Sequence, residues 1–407
     1  MNSSRIAARV RRIKPSPSTA AADRANELRR AGRSIVNLVV GEPDFDTPPH
    51  IRQAAAAAIE AGATRYTPMA GTPELRQAII GKLARENGLT YAADEIIATN
   101  GAKSAIYAAL AATLEPGDEV IIPAPYWVSY PDMVIASDGV PVALACPESQ
   151  GFKLTAAQLD AAITERTRWL LLNAPSNPTG ASYTEAEYRA LAGVLDRHPH
   201  VMVMTDDIYE HIRFDGQTTP HLLAVAPQLR DRTLAINGVS KTYAMTGWRI
   251  GWIAGPRDLI RAVDTWLSQS AGNCCAVSQA AATVALNGDQ SFVRQSVAIY
   301  HDRRDRMAAR INAIPGLSCA LPDGAFYLYV NCAGLIGKRT PEGKTLENDT
   351  DVVMYLLERV GVAVVAGSAY GLSPYFRLSI ATSIETLMEG CDRIAQAVAA
   401  LDGPKQG

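Results

Sequence analysis

Through the middle of the chain, short apolar runs rich in β-branched residues alternate with longer segments whose apolar positions recur at helical spacing. Ile96–Thr99, Glu119–Ile122, Val140–Ala145, Arg168–Leu172 and Val201–Thr205 read as strands, and Thr233–Ile236 and Ile250–Ala254 as buried strands. Between or around them, Pro73–Asn87, a helix opening at Asn100-Gly101-Ala102-Lys103 and running to Leu114, Thr155–Ile163, Tyr183–Arg197 and Asp258–Gln269 read as helices. Strands joined by helices in this way predict an α/β fold with a mostly parallel sheet sandwiched by helices. Before this region come a helix over Ala20–Arg30, a strand over Ile35–Val40 and a helix over Ile51–Ala61. After it, helices over Ser278–Leu286, Gln290–Ile311, Asp351–Arg359 and Ile384–Ala399 accompany strands over Gly324–Val330, Val362–Val365 and Phe376–Thr382. The expected division is an N-terminal segment over 1–48 that joins the small domain and makes dimer contacts, a large domain over 49–290, and a smaller α+β domain over 291–407. The helix Gln290–Ile311 carries Arg303, Arg304, Arg306 and Arg310 and is expected to be a solvated face.

In such a sheet, ligands belong at the carboxyl ends of the strands, and the unusual polar residues gather there. Asn173 to Gly180, with Asn177, follows one predicted strand; Asp206-Asp207-Ile208-Tyr209-Glu210 follows another; Lys241 and Arg249 follow a third. Each motif alone suits an ordinary turn or helix cap. Together they form a polar cluster that needs mutual pairing or a charged ligand. The strand, glycine, helix unit at Gly101 offers free backbone N–H groups to a phosphate, but it is not a GxGxxG, so a dinucleotide fingerprint is absent.

Composition narrows the class. The chain has 407 residues, 48% hydrophobic and 20% charged, with a formal net charge of -2. That balance argues against nucleic acid as the main partner, and no apolar run approaches bilayer-spanning length. The basic N-terminus lacks the continuous apolar segment of a secretory signal and reads as a short amphipathic helix. Six cysteines without regular pair spacing do not make a disulfide framework, and adjacent Cys274-Cys275 read as reduced fillers. The compartment expected is the cytoplasm.

Lys241 lies in NGVSKTYAMTGWRIGW, between two apolar runs. From its neighbourhood alone it is a snorkelling or phosphate-binding side chain, or a Schiff-base nucleophile whose amine is kept neutral by burial or by a nearby cation such as Arg249. The segment SKTYAMTGWRIG resembles the lysine segment of the class I, fold-type I pyridoxal-phosphate aminotransferases. The neighbouring motifs resemble those of bacterial aspartate aminotransferases, including the branch that also accepts prephenate. The resemblance runs from about Ile13 to the C-terminus.

What the resemblance implies is a fold-type I transferase that binds pyridoxal 5'-phosphate, with Lys241 catalytic. Asp206 would partner the pyridine nitrogen, Asn177 and Tyr209 the phenolic oxygen, and Trp127 would stack on the ring. Gly101, Ala102, Lys103, Arg249 and, with a weaker claim, Ser240 would hold the phosphate. Tyr66 would reach the same phosphate from the neighbouring subunit of a homodimer with shared sites. Arg377, which within an apolar strand otherwise reads as half of an ion pair, would clamp the substrate's α-carboxylate, assisted by the Gly41 backbone and Asn177. The partners implied are amino acid and 2-oxo acid substrates.

Specificity is less settled. Lys103, Ser16 and Ser18 correspond to residues that meet a distal carboxylate, which favours aspartate or glutamate with 2-oxoglutarate or oxaloacetate. Val39, Ile380 and Asn273-Cys274-Cys275 depart from the family pattern, and leave aromatic, prephenate or another specificity open.

Overall fold

The structure, a computed structural model, describes residues 5–15, 17–216 and 219–402. Ser16 lies outside these, as does the side chain of Ser18. In chain order the strands are β1 (Val36–Asn37), β2 (Ile96–Thr99), β3 (Glu119–Ala124), β4 (Val140–Ala145), β5 (Thr167–Asn173), β6 (Met202–Asp206), β7 (Thr233–Gly238), β8 (Gly251–Ala254), β9 (Tyr327–Asn331), β10 (Val362–Ala363), β11 (Val365–Ala366) and β12 (Tyr375–Ser379).

Seven of them form one sheet in the order β2-β8-β7-β6-β5-β3-β4. All pairs are parallel except those of β8, which runs antiparallel to both β2 and β7. Successive side chains point to opposite faces, and the apolar sequences of the inner strands fill both, while the edge strand β4 stays partly exposed. Ile96, Ala98, Leu170, Leu172 and Ala235 pack with helices Pro49–Glu60, Pro73–Asn87, Glu185–Leu195 and Ala276–Asn287. Ile97, Trp169, Leu171, Leu234 and Ile236 pack with helices Ala102–Thr113, Tyr130–Ala136 and Arg257–Ser268. Each large buried side chain contributes about 1.5–3 kcal/mol. A one-residue slip would exchange the two faces, so the register is strongly specified.

A second core gathers β9, β12 and helices Ser291–Asn312, Asp349–Val360 and Ile384–Ala399. Here β11, β12 and β9 form an antiparallel sheet, and β1 pairs parallel with β10.

Three expectations change. The strand predicted over Ile35–Val40 is paired only at Val36–Asn37, because the chain then turns to the cavity and the Val39 carbonyl accepts from Arg377 at 2.6 Å. The run Val362–Val365 is split between two sheets, Val362 pairing with Val36 and Val365 with Arg377. Arg303 is buried rather than solvated: its guanidinium forks onto the Asp44 carboxylate, with both contacts at 2.8 Å, and so ties the helix Ser291–Asn312 to the loop after Gly41. A planar donor pair facing a carboxylate makes that burial tolerable. Arg306 and Arg310 stay half exposed. All six cysteines are free thiols, Cys274 buried and Cys275 exposed. Among the described residues no helix is long and apolar enough to cross a membrane.

Candidate active site

Parallel strands β5, β6 and β7 end on the same edge of the sheet, which sets Asn173, Asp206 and the segment after Gly238 side by side; Asn173 and Asp206 are direct register partners. Strand β8 begins at that edge because it runs the other way: Gly251 pairs with both Gly238 and Thr99. Arg249, just before β8, is thereby laid over the Gly101 turn at the start of helix Ala102–Thr113. A Cβ on Gly101 would come within 2.5 Å of the Arg249 guanidinium, and the residue has φ +89, so only glycine fits. Arg249 itself adopts φ +56, a conformation that costs energy for a residue with a side chain and that collects at functional sites.

The edge opens into a cavity of about 430 Å³ lined by Gly41, Ala102, Lys103, Trp127, Asn177, Asp206, Tyr209, Ser240, Lys241, Arg249 and Arg377. These are most of the residues singled out in the sequence. Lys241 donates from Nζ to the Gly41 carbonyl at 2.6 Å. Burial lowers its pKa to about 8, with Arg249 and Arg377 adding to the shift and Glu42 opposing it. Asp206 is buried, with Oδ2 accepting from the Tyr130 hydroxyl at 2.6 Å. Burial raises its pKa to about 6, against the Tyr130 hydrogen bond that lowers it, while Asp207 adds to the rise. Burial also raises the Tyr209 phenol well above its usual range. Its oxygen lies 2.8 Å from that of Tyr327.

Arg377 is 2% exposed. It is not half of an ion pair: Nη1 donates to Asn177 Oδ1 at 3.0 Å and Nη2 to the Val39 carbonyl, and Nε has no partner. Its guanidinium lies over the rings of Tyr327 and Tyr370, at 4.3 and 5.3 Å. Lys103 donates to Ser129 Oγ at 3.3 Å and stands 5.3 Å from the Trp127 ring centre. Burial and the nearby Arg249 lower its pKa. Arg249 bonds to the carbonyls of Thr246 and Asn100. Four cations therefore face one cavity, and their hydrogen bonds go to neutral oxygens. A cavity of that kind is built for an anion.

Tyr66 is not in the cavity. It is 97% exposed and borders a separate surface hollow with Arg65, Ala276 and Ala280, so a place for it in such a site requires a second chain. Of the three departures from the family pattern, Val39 alone lines the cavity; Ile380 is in the second core and Cys274 in the first. Sequence reasoning missed Tyr130, Tyr327 and Asn173. Asn173 donates to the Asp206 carbonyl at 2.7 Å and accepts from the Asn177 backbone at 2.8 Å, joining the two loops. Its position at a strand end was a usable signal. Nothing local marks Tyr327, whose hydroxyl would lie 2.8 Å from a Cβ on Gly41 and so explains the bare backbone there.

A lysine amine, a buried carboxylate and arginines without carboxylate partners, gathered in one cavity at the carboxyl edge of this sheet, are the arrangement of a fold-type I aminotransferase. The chain belongs to the family aminotransferase class I and II, whose model matches residues 33–394. It is 54% identical over 374 residues to an aspartate aminotransferase of Rhizobium meliloti, covering 92% of this chain and 91% of that one. It is 52% identical over 392 residues to the aspartate/prephenate aminotransferase of Cereibacter sphaeroides, covering 96% and 98%. The crystal structure of the aspartate aminotransferase from Rhizobium meliloti superposes with a TM-score of 0.96 at 52% identity, over 98% of this chain and 100% of that one.

Proposed function

We propose that this enzyme holds pyridoxal 5'-phosphate on Lys241 and moves the amino group of aspartate or glutamate to 2-oxoglutarate or oxaloacetate. The observation that carries the reading is the meeting of Lys241, Asp206 and Arg377 in one cavity whose cations lack carboxylate partners. The residues present fit the cofactor. Asp206 suits a protonated ring nitrogen, which would bring its raised pKa back down. Tyr209 and the Asn177 amide suit the phenolic oxygen, and Trp127 the ring face. The helix start at Gly101, Ala102 and Lys103, with Arg249 and Ser240, suits the phosphate. Bound there, the cofactor supplies an electron sink for negative charge at the substrate's Cα.

The chain's own groups do the rest. Arg377 offers its planar fork, with Nε still unpaired, to the substrate's α-carboxylate, and the Tyr327 and Tyr370 rings lie against the guanidinium. The Lys241 amine, with a pKa of about 8, carries enough neutral form at neutral pH to take the α-proton. Lys103, with no carboxylate partner, is the cation for a distal carboxylate, and Ser16 and Ser18 remain candidates beside it.

A half-reaction screen tests the substrate: the loaded enzyme is mixed with each amino acid alone and the cofactor's visible absorbance is followed. Aspartate and glutamate should react fastest, and Lys103→Ala should slow them selectively by roughly ten- to a hundredfold, the scale of one charge-assisted contact. A second reading, an aromatic or prephenate-like substrate, is favoured by the apolar wall of Val39, Val40, Ile106 and Trp127 in the same cavity. Faster reaction of an aromatic amino acid than of aspartate would select it.

The reading includes a homodimer with shared sites, supported by the fully exposed Tyr66, and a division into segments 1–48, 49–290 and 291–407, supported by the two main cores, although the second also takes Ile208, Tyr209, Ile212 and Phe214 from the large segment. Six free thiols support a reducing compartment, the cytoplasm. Tyr66→Phe should weaken cofactor binding on the order of tenfold. Hybrids of Tyr66→Phe and Lys241→Ala chains should regain one unimpaired site per dimer. A fully active monomer in sedimentation would sink the shared site.

A further inference from the structure

Behind the cavity, on the side of helix Pro73–Asn87, lies a partly buried polar cluster that the chemistry above does not use. Glu210, the residue after Tyr209, accepts on one carboxylate oxygen from Lys82 Nζ and from Asn237 Nδ2, the latter at 2.5 Å, and on the other from Asn87 Nδ2 at 2.8 Å. Burial alone would raise its pKa; Lys82, the nearby His211 and the hydrogen bonds from Lys82 and Asn87 outweigh burial and bring it to about 2. Asn237 in turn accepts from the Gly238 backbone at 2.7 Å, at the end of β7 and three residues before Lys241. His211 bridges the remaining gap: Nε2 lies 2.8 Å from Glu86 Oε2, and Nδ1 lies 3.2 Å from the hydroxyl of Thr242, the residue after Lys241.

Glu86, Glu210 and His211 lie close enough together to ligate a metal. That reading is the weaker one, because the Lys82 ammonium already contacts Glu210 and stands 3.7 Å from Glu86, taking the place of the cation. Net stability is also a poor account, since the desolvation of a buried ion pair largely offsets its attraction. What the cluster does uniquely is geometric. It ties the residues that follow Tyr209 and Lys241, and the strand end before Lys241, to the last turn of one core helix.

We propose that this cluster is a positioning device that sets the Lys241 amine relative to Tyr209, with His211 and Thr242 as its contact with the lysine segment. The inference rests on the reading that Lys241 and Tyr209 hold the cofactor. Lys82 and Glu210 are unsuitable probes, because removing either strands the other's charge in the core. Thr242→Val deletes one hydroxyl at nearly constant shape, and His211→Gln alters a half-exposed partner.

The test uses the enzyme loaded with pyridoxal phosphate and reads three quantities: the pH midpoint of its visible absorbance change, the Kd of the cofactor, and Tm. Thr242→Val and His211→Gln should each move the midpoint by about 0.5 pH unit or more and weaken cofactor binding about fivefold, the scale of one lost hydrogen bond. Thr242→Ser, which keeps the hydroxyl, should restore both. Unchanged midpoint and Kd in His211→Gln and in Thr242→Val, or in His211→Gln alone where Thr242→Val does not fold, even with a lowered Tm, would show a merely structural role and overturn the proposal. If the unaltered protein takes up pyridoxal phosphate on Lys241 while the variants do not differ, the positioning role alone fails; if it takes up none, both readings fail.

Discussion

Replacing Lys241 by Ala is expected to abolish covalent capture of pyridoxal phosphate and to lower kcat by on the order of 10⁴-fold or more, since on the proposed reading one side chain would serve as both attachment point and proton carrier. The unaltered protein mixed with the cofactor should absorb in the visible, and borohydride should fix the label to the peptide containing Lys241. The same residue sets a pH dependence. Its amine is held near 8 by burial, assisted by Arg249 and Arg377. Below that pH the amine is increasingly protonated and cannot attack a carbonyl. Capture by cofactor-free protein should therefore rise as pH increases and level off above about 8, where a solvent-exposed lysine would still be climbing toward 10.4. Labelling of another lysine, with Lys241→Ala still coloured, would remove Lys241 from the centre of the site.

The sequence made the large-domain strands legible because each is a short apolar run bounded by turn residues, and all but the exposed edge strand β4 are largely buried. It made the site legible because polar groups at predicted strand ends have few structural explanations when taken together. What it could not show follows from tertiary geometry. No local pattern tells that β8 runs antiparallel, yet this reversal is what brings Arg249 onto Gly101. Arg303 sits in a helix crowded with arginines, and only the fold sets it against Asp44. Val39 and Val40 extend a strand pattern that the backbone abandons, because Arg377 takes the Val39 carbonyl. Tyr130 was hidden in an aromatic loop beside Trp127, whose ring it meets edge-on at 5.3 Å, and only the fold shows that its hydroxyl is the partner of the Asp206 side chain.

Arg377→Lys should lower kcat/KM for every amino acid substrate by a similar factor, roughly ten- to a hundredfold, whatever the side chain. The planar guanidinium lies against the Tyr327 and Tyr370 rings and already donates to Asn177 and Val39, so its remaining donors point in fixed directions. A carboxylate meeting that fork receives charge-assisted hydrogen bonds worth about 1.5–3 kcal/mol each. An ammonium is a point charge with rotating donors; it keeps the attraction but loses the second parallel bond and the orientation that comes with it. Orientation is needed most in the transition state, so kcat should fall along with the rise in KM. The lysine also leaves the Val39 carbonyl and the Asn177 amide with changed partners, so Tm measured on the same variant separates lost folding from lost binding. Comparing aspartate with an uncharged amino acid decides the assignment. Equal losses place Arg377 at the α-carboxylate common to all substrates. A loss confined to aspartate would place it at the distal carboxylate instead, and Lys103 would then have to be the group that meets the α-carboxylate or the phosphate.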